Sequence, residues 1–428
     1  MTSSQWMPLL TRRTLIRSAG LMAGGLLVGA VSLDPVDAQP GNAEDSARPL
    51  LMAHTMPWYQ SRAMRGNWGW HWTMEHYNPS EMGDNGRPDI ASHFTPLTGP
   101  YDSGDPILLE YQTLLMKASG IDGVIVDWYG IKNYYDYDAI NKNTAKLFEA
   151  VQKAKLKFAI CYEDATVKIL IDGGQITAED AVAHGQDVMR YLHEHWFTDE
   201  AYLKAGGHPV LFTFGPQYFK SSTDWQTILS TVEPNPALVT LDGHRVVDEL
   251  ASYPWPPMQG GITLNHAAIE AYLTQFYRKA ARGEYIVGGA FPGFYDIYAE
   301  AGVQASYGYL DAEDGETFRF TLQLALDQNP DVIQLITWND YGEGTNIEPA
   351  EEYGYRYLET VQDVRRALPG GEDFPYSADD LRLPFEIYTL RKDNYGDEAV
   401  NADLDAAAAA ILSGDAPTAA EILGGLEA

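Results

Sequence analysis

Asp340 and Glu343 stand three residues apart in the run Ile336-Thr337-Trp338-Asn339-Asp340-Tyr341-Gly342-Glu343-Gly344-Thr345-Asn346-Ile347-Glu348-Pro349. A carboxylate pair flanked by aromatic rings suits the cleavage of a glycosidic bond. One acid protonates the leaving oxygen, the other activates water or a neighbouring hydroxyl, and the rings stack on sugar faces. Gly342 and Gly344 allow the backbone to bend so that both carboxylates face one point. Loop carboxylates as a class are mostly helix caps or ion-pair members. Here Asp331-Val332-Ile333-Gln334-Leu335 reads as a buried strand running straight into the pair, and a strand-end position beside Trp338 and Tyr341 favours catalysis.

Short apolar runs alternate with amphipathic stretches along the chain. The runs are Leu50 to His54, Asp122 to Asp127, Lys157 to Tyr162, Pro209 to Phe214, Ala237 to Leu241, a weak one near Gly261 to Leu264, Tyr285 to Ala290, and Asp331 to Thr337. Helical patterns fall at 106–119, 138–154, 178–195, 222–231, 266–281 and 315–328. The first is punctuated by Asp105-Pro106 and Gly120. This alternation predicts the α/β class, a (β/α)8 or TIM barrel with long strand-to-helix loops; without the weak fifth and sixth runs a doubly wound sheet is the alternative. The expected organisation is a signal peptide over 1–38, a linker over 39–49, a catalytic barrel over 50–370, and an extension over 371–428 ending in a small helical hairpin.

Ligands of a parallel barrel meet the C-terminal ends of its strands. The first run delivers His54, Trp58 and Tyr59 there, the second Asp127, Trp128 and Tyr129, and the third Tyr162, Glu163 and Asp164. The seventh delivers Phe291, Phe294, Tyr295 and Asp296, and the last Trp338, Asn339, Asp340, Tyr341 and Glu343. An acid or polar group beside aromatics at five strand ends predicts a sugar-lined cleft. For Trp128 the competing reading is a core ring beside a capping Asp127. A connection of about fifty residues after the first strand, carrying Trp58, Trp68, Trp70, Trp72, His71 and His76, is long enough to suggest function.

Trp338-Asn339-Asp340-Tyr341-Gly342-Glu343 resembles the signature of glycoside hydrolase family 71, the α-1,3-glucanases. Its continuation Gly344-Thr345-Asn346-Ile347-Glu348-Pro349 is similar to family 99, the endo-α-mannosidases. Ala53-His54 and Gly120-Ile121-Asp122-Gly123 resemble the first and second strands of family 71. The likeness to a combined 71/99-like group spans about residues 50–365. It implies a (β/α)8 fold, activity on α-linked glycans, no cofactor, and no metal in catalysis. Carried over by position, Glu343 is the general acid and Asp340 the base. In the mannosidase branch a Glu at the Asp340 position acts on a substrate hydroxyl, and an acid at the Glu163 position contacts substrate. Glu348 joins the expected sugar-contacting set on the same grounds.

The formal net charge of −31 repels nucleic acid and anionic membrane surfaces but not neutral poly- or oligosaccharides. Thr11-Arg12-Arg13-Thr14-Leu15-Ile16-Arg17, the apolar stretch Ala19 to Leu33 and Val36-Asp37-Ala38 form a twin-arginine-type pattern. It predicts a periplasmic or secreted protein with no stable membrane insertion after cleavage. The single cysteine, Cys161, rules out an intramolecular disulfide. No zinc, calcium, phosphate-loop or nucleophile-elbow motif is present. The expected function is an endo-acting glycoside hydrolase of α-glucan or α-mannan type. The rivals are a non-catalytic glycan-binding barrel and a protein of extracellular polysaccharide assembly. The sequence leaves the oligomeric state open.

Overall fold

The computed structural model describes residues 48–83, 86–246 and 248–426. The expected signal peptide and nearly all of the linker lie outside them. Eight parallel strands form a nearly closed barrel: β1 (Leu50–Thr55), β2 (Gly123–Trp128), β3 (Lys157–Tyr162), β4 (His208–Thr213), β5 (Ala237–Leu241), β6 (Ala251–Tyr253), β7 (Val287–Ala290) and β8 (Val332–Leu335). Their order is β6-β5-β4-β3-β2-β1-β8-β7. The first and last strands close the ring, with Leu50 opposite Val332 and Ala53 opposite Leu335. β6 and β7 flank the seam, and among the described residues no ladder joins them.

The outer layer holds α1 (Pro106–Ser119), α2 (Tyr137–Lys153), α3 (Ala181–Leu192), α4 (Ser222–Leu229), α5 (His266–Ala280), α6 (Glu316–Leu326) and α7 (Arg356–Ala367). α1 shows how local chemistry sets the bounds. The Asp105 carboxylate accepts from the Ile107 amide, Pro106 occupies the first turn, and Gly120 ends the helix in the left-handed region at φ 84°.

One strand differs from expectation. Ile262–Leu264 is not the sixth barrel strand but an edge of a separate three-stranded sheet with Phe294–Tyr295 and Gly308–Leu310. The barrel strand is Ala251–Tyr253, cut short by Pro254, which has no amide to donate. No helix separates β5 from β6. The paired glycines of β7 have a steric cause: a side chain on Gly289 would come within 2.8 Å of the Pro254 ring, and one on Gly288 within 3.1 Å of Ala325.

After α7 the chain forms α8 (Leu383–Asp393) and a hairpin of α9 (Glu398–Ser413) and α10 (Ala416–Leu426). Arg391 fastens this hairpin to the barrel flank, its guanidinium reaching Glu110 on α1 at 2.9 Å and Asp405 on α9 at 2.6 Å. No helix among the described residues is long and apolar enough to cross a membrane.

Candidate active site

After β8 the chain folds back on itself. The Thr337 amide donates to the Thr345 carbonyl (2.8 Å), the Ile347 amide to the Thr337 carbonyl (3.0 Å), and the Glu348 amide to the Trp338 carbonyl (2.9 Å). Asp340 and Glu343 occupy the bend, 2% and 1% exposed. The Asp340 amide donates to the Thr337 hydroxyl at 2.8 Å, and the Asp340 carboxylate accepts from the Glu343 amide at 3.0 Å. Gly344 is the left-handed residue of the bend (φ 65°), and a Cβ there would lie 2.5 Å from the Tyr295 carbonyl oxygen. Gly342 has no positive φ; it is small because Met74 crowds it, 3.1 Å from where a Cβ would be.

The bend is anchored on both sides. Towards β1, the Trp338 amide donates to the His54 carbonyl (2.7 Å). The Asn339 side chain grips the Met56 backbone with both groups, at 2.8 and 3.0 Å. The Tyr59 hydroxyl donates to the Asn339 carbonyl (3.0 Å) and accepts from the Tyr341 amide (3.1 Å). Towards the segment after β7, the amides of Tyr295 and Ile297 donate to the carbonyls of Glu343 (2.9 Å) and Gly342 (3.1 Å).

The two carboxylates share Tyr298 and differ in their other neighbours. Burial, then the charge of Asp340, pushes the Tyr59 phenol well above its ordinary range. Asp296 is pushed up to about 6, by burial first; the Tyr307 amide pulls it down and the charge of Glu343 pushes it up. Tyr298 is raised by burial, then by Glu343, then by Asp340. Both carboxylates therefore act on Tyr298 of the β7 side, and Asp340 also acts on Tyr59 of the β1 side.

Several expected sugar contacts are corrected. Side chains alternate along a strand, so Asp127 turns into the barrel and Trp128 turns out. The Trp128 indole donates to Asn141 of α2 at 3.0 Å and packs against Tyr191 and Trp196. It is a core ring. Glu348 is also inside the protein: Gln112, Tyr101 and Tyr341 donate to its carboxylate at 2.7, 2.8 and 2.9 Å. Burial pushes it up to about 7 against those three bonds. Tyr59, Asn339 and Tyr341 likewise direct their polar atoms at the protein. Tyr59, Asn339, Tyr341 and Glu348 hold the bend in shape. Asp164 is structural too, accepting from the amides of Gln217, Tyr218 and Phe219 at 2.8 Å each.

The remaining expected residues lie at or just after the ends of β1, β2, β3, β7 and β8. Trp58 stacks on His71 at 4.2 Å and lies 6.4 Å from Tyr129. Trp338 is buried below the bend, and Glu163 ends β3 with its amide bonded to the Trp128 carbonyl at 3.0 Å. Tyr295 is 41% exposed and stacks on His93 at 3.6 Å. The long loop after β1 packs on the bend through Tyr59 and Met74, and its buried Trp72 indole donates to the Tyr101 carbonyl at 2.7 Å. Tyr298 was missed, and Asp296 was placed at the seventh strand end but not among the sugar contacts. Their signal was present, an acid and a phenol in the aromatic run after the seventh strand.

Among the described residues, one group brings possible metal donors together. His54, Asp127 and Cys161 place ligand atoms within 4.8 Å of one another in the barrel interior, all fully buried. Two side chains of the barrel wall lie against this group. Trp255 packs edge-on to the His54 ring at 4.9 Å, and the Tyr253 hydroxyl lies 3.7 Å from the Cys161 sulfur.

No family model matches the chain. A zebrafish (Danio rerio) protein named glycoprotein endo-alpha-1,2-mannosidase-like is 23% identical over 345 residues, covering 68% of this chain and 69% of its own. The solved GH99 endo-alpha-mannosidase from Bacteroides thetaiotaomicron superposes with a TM-score of 0.56 at 17% identity, over 74% of this chain and 98% of that one. A solved glycoside hydrolase-like protein gives 0.54 at 13% identity, over 77% and 97%. The chain thus has the barrel fold of these structures, and its resemblance to the 71/99-like group holds in sequence and in fold.

Proposed function

We propose that this protein is an endo-acting glycoside hydrolase of α-linked polysaccharide. Glu343 protonates the leaving oxygen, and Asp340 removes a proton from the nucleophile. The observation that carries this reading is the β8 bend, which holds two buried carboxylates side by side after the last barrel strand, Asp340 accepting from the Glu343 amide. The mouth loops keep bulk water away, which strengthens the field each carboxylate exerts on the reacting bond. The nucleophile is a water or the substrate's neighbouring hydroxyl. The first gives inversion and the second retention, distinguished by NMR of the first-formed anomer.

An α-mannan-type substrate is favoured over an α-glucan because the zebrafish and Bacteroides proteins are both named as α-mannosidases. His54, Trp58, Asp127, Tyr129, Glu163, Tyr295 and Trp338 are the proposed floor and walls for the sugars. The twin-arginine-type pattern supports a periplasmic or secreted site of action. Screening the purified protein against α-mannans and α-glucans, with product sizing, tests the reading. Internal cleavage giving mid-sized products is expected. Binding without products would leave only a glycan-binding barrel.

A further inference from the structure

The three-stranded sheet beside the mouth has two unlike faces. Phe294, Leu310 and Leu264 are in register and turned inward, with Phe294 and Leu310 fully buried. Tyr295, Tyr309 and Thr263 are in register on the opposite face and open to solvent, Tyr295 at 41% and Tyr309 at 37%. The tyrosines meet edge to face, centroids 5.2 Å apart and planes at 83°. His93, from the long loop after β1, covers one face of Tyr295 in a parallel stack with planes at 5°. His93 is itself held by the Asp296 carbonyl at 3.3 Å. Two exposed rings fixed by a third from a distant segment present a rigid apolar surface, whereas isolated surface tyrosines need no explanation.

The sheet is rigidly coupled to the proposed acid. The Tyr295 amide is bonded to the Glu343 carbonyl, and Gly344 leaves no room for a side chain against Tyr295. The next residue, Asp296, feels the charge of Glu343, and the Ile297 amide after it is bonded to the Gly342 carbonyl at 3.1 Å. A general acid stands on the leaving-group side of the scissile bond. We propose that Tyr295 and Tyr309, buttressed by His93, form a stacking platform for the pyranose on the leaving-group side of the cleaved linkage, making the enzyme select substrates that continue past the bond it cuts. The assignment rests on the proposed roles of Glu343 and Asp340. The platform presents aromatic ring faces, which suit a pyranose, whose apolar ring face stacks on an aromatic ring, and Glu300 lies beside it, 3.5 Å from the His93 ring nitrogen.

The test combines binding and kinetics. In Glu343→Gln protein, titration with α-manno-oligosaccharides should show Tyr309→Ala raising Kd tenfold or more. Tyr309→Phe and Tyr309→Trp, which keep the ring, should stay within threefold. In otherwise unaltered enzyme, Tyr309→Ala should lower kcat/KM tenfold or more for the oligosaccharide relative to the α-glycosyl fluoride, whose leaving group reaches no platform. Unchanged oligosaccharide affinity in Tyr309→Ala overturns the platform and leaves the hydrolase reading intact. Equal losses on both substrates put the rings on the other side of the bond and overturn the assignment. If the enzyme cleaves nothing yet Tyr309→Ala abolishes oligosaccharide binding, the platform stands and the hydrolase reading falls. No binding to any probe overturns both.

Discussion

Replacing Glu348 by Gln tests whether this carboxylate shapes the β8 bend or serves the substrate. Glu348 lies in the interior with three donors on its oxygens and is pushed up from its ordinary 4.5 to about 7, by burial before all else. The folded protein therefore holds this proton more tightly than the unfolded chain. The stability that this preference supplies is complete below pH 4.5 and is lost as pH rises through 7. The shift of roughly 2.5 pH units, at 1.36 kcal/mol each, amounts to about 3 kcal/mol. An uncharged amide escapes that loss. Its oxygen can accept from Tyr101 and Tyr341, and its NH2 can donate to Gln112 once the Gln112 amide turns over. With about 2.1 cal/mol/K per residue over the roughly 380 described residues, 3 kcal/mol corresponds to roughly 4 °C in Tm. Calorimetry of both proteins from pH 4.5 to pH 8 should show equal Tm values at the acid end and the variant about 4 °C higher at pH 8. A variant that melts lower at pH 8, or a difference independent of pH, would refute the reasoning.

Three further outcomes follow from the same geometry. Asp296 gains its charge near pH 6 beside Glu343, so the wild-type pH–activity profile should bend near that value; Asp296→Asn should remove the bend, and an unchanged profile would show that Asp296 does not act on the site. Gly344→Ala forces a left-handed alanine into the Tyr295 carbonyl. It should cost about 1–3 kcal/mol or more, seen as a lower Tm with turnover reduced at least tenfold, and wild-type behaviour would contradict the packing. Tyr59→Phe removes the hydroxyl that bridges the backbones of Asn339 and Tyr341, leaving only their direct 3.0 Å bond to each other, at a cost of about 0.5–1.5 kcal/mol for each bond lost. The expected result is lower kcat at similar KM; a raised KM alone would instead make Tyr59 a substrate contact.

What could be read from the chain depended on how local the determinant was. The bounds of α1 were legible because Asp105, Pro106 and Gly120 act on their own helix. The β8 bend was legible because its acids, glycines and rings are neighbours in sequence. The sixth strand was not: Ala251–Tyr253 is three residues ended by proline, and the stronger apolar run at Ile262–Leu264 belongs to the side sheet. Nor could Trp128 be told from Asp127 as core or cleft, since a strand covered on both faces lacks the polar alternation that marks its inner side. Glu348 looked like part of the sugar-contacting set because the residues that enclose it, Tyr101 and Gln112, come from a distant loop and helix. Asp296 and Tyr298 approach Glu343 only once the barrel brings β7 beside β8.

The central claim is that Glu343 delivers the proton to the leaving oxygen, and leaving-group dependence tests it most directly. In Glu343→Gln, kcat/KM on the α-linked oligosaccharide should fall about a thousandfold, while that on the α-glycosyl fluoride, whose leaving group needs little protonation, should fall less than tenfold. Equal losses on the two substrates, or retained turnover of the oligosaccharide, would contradict it.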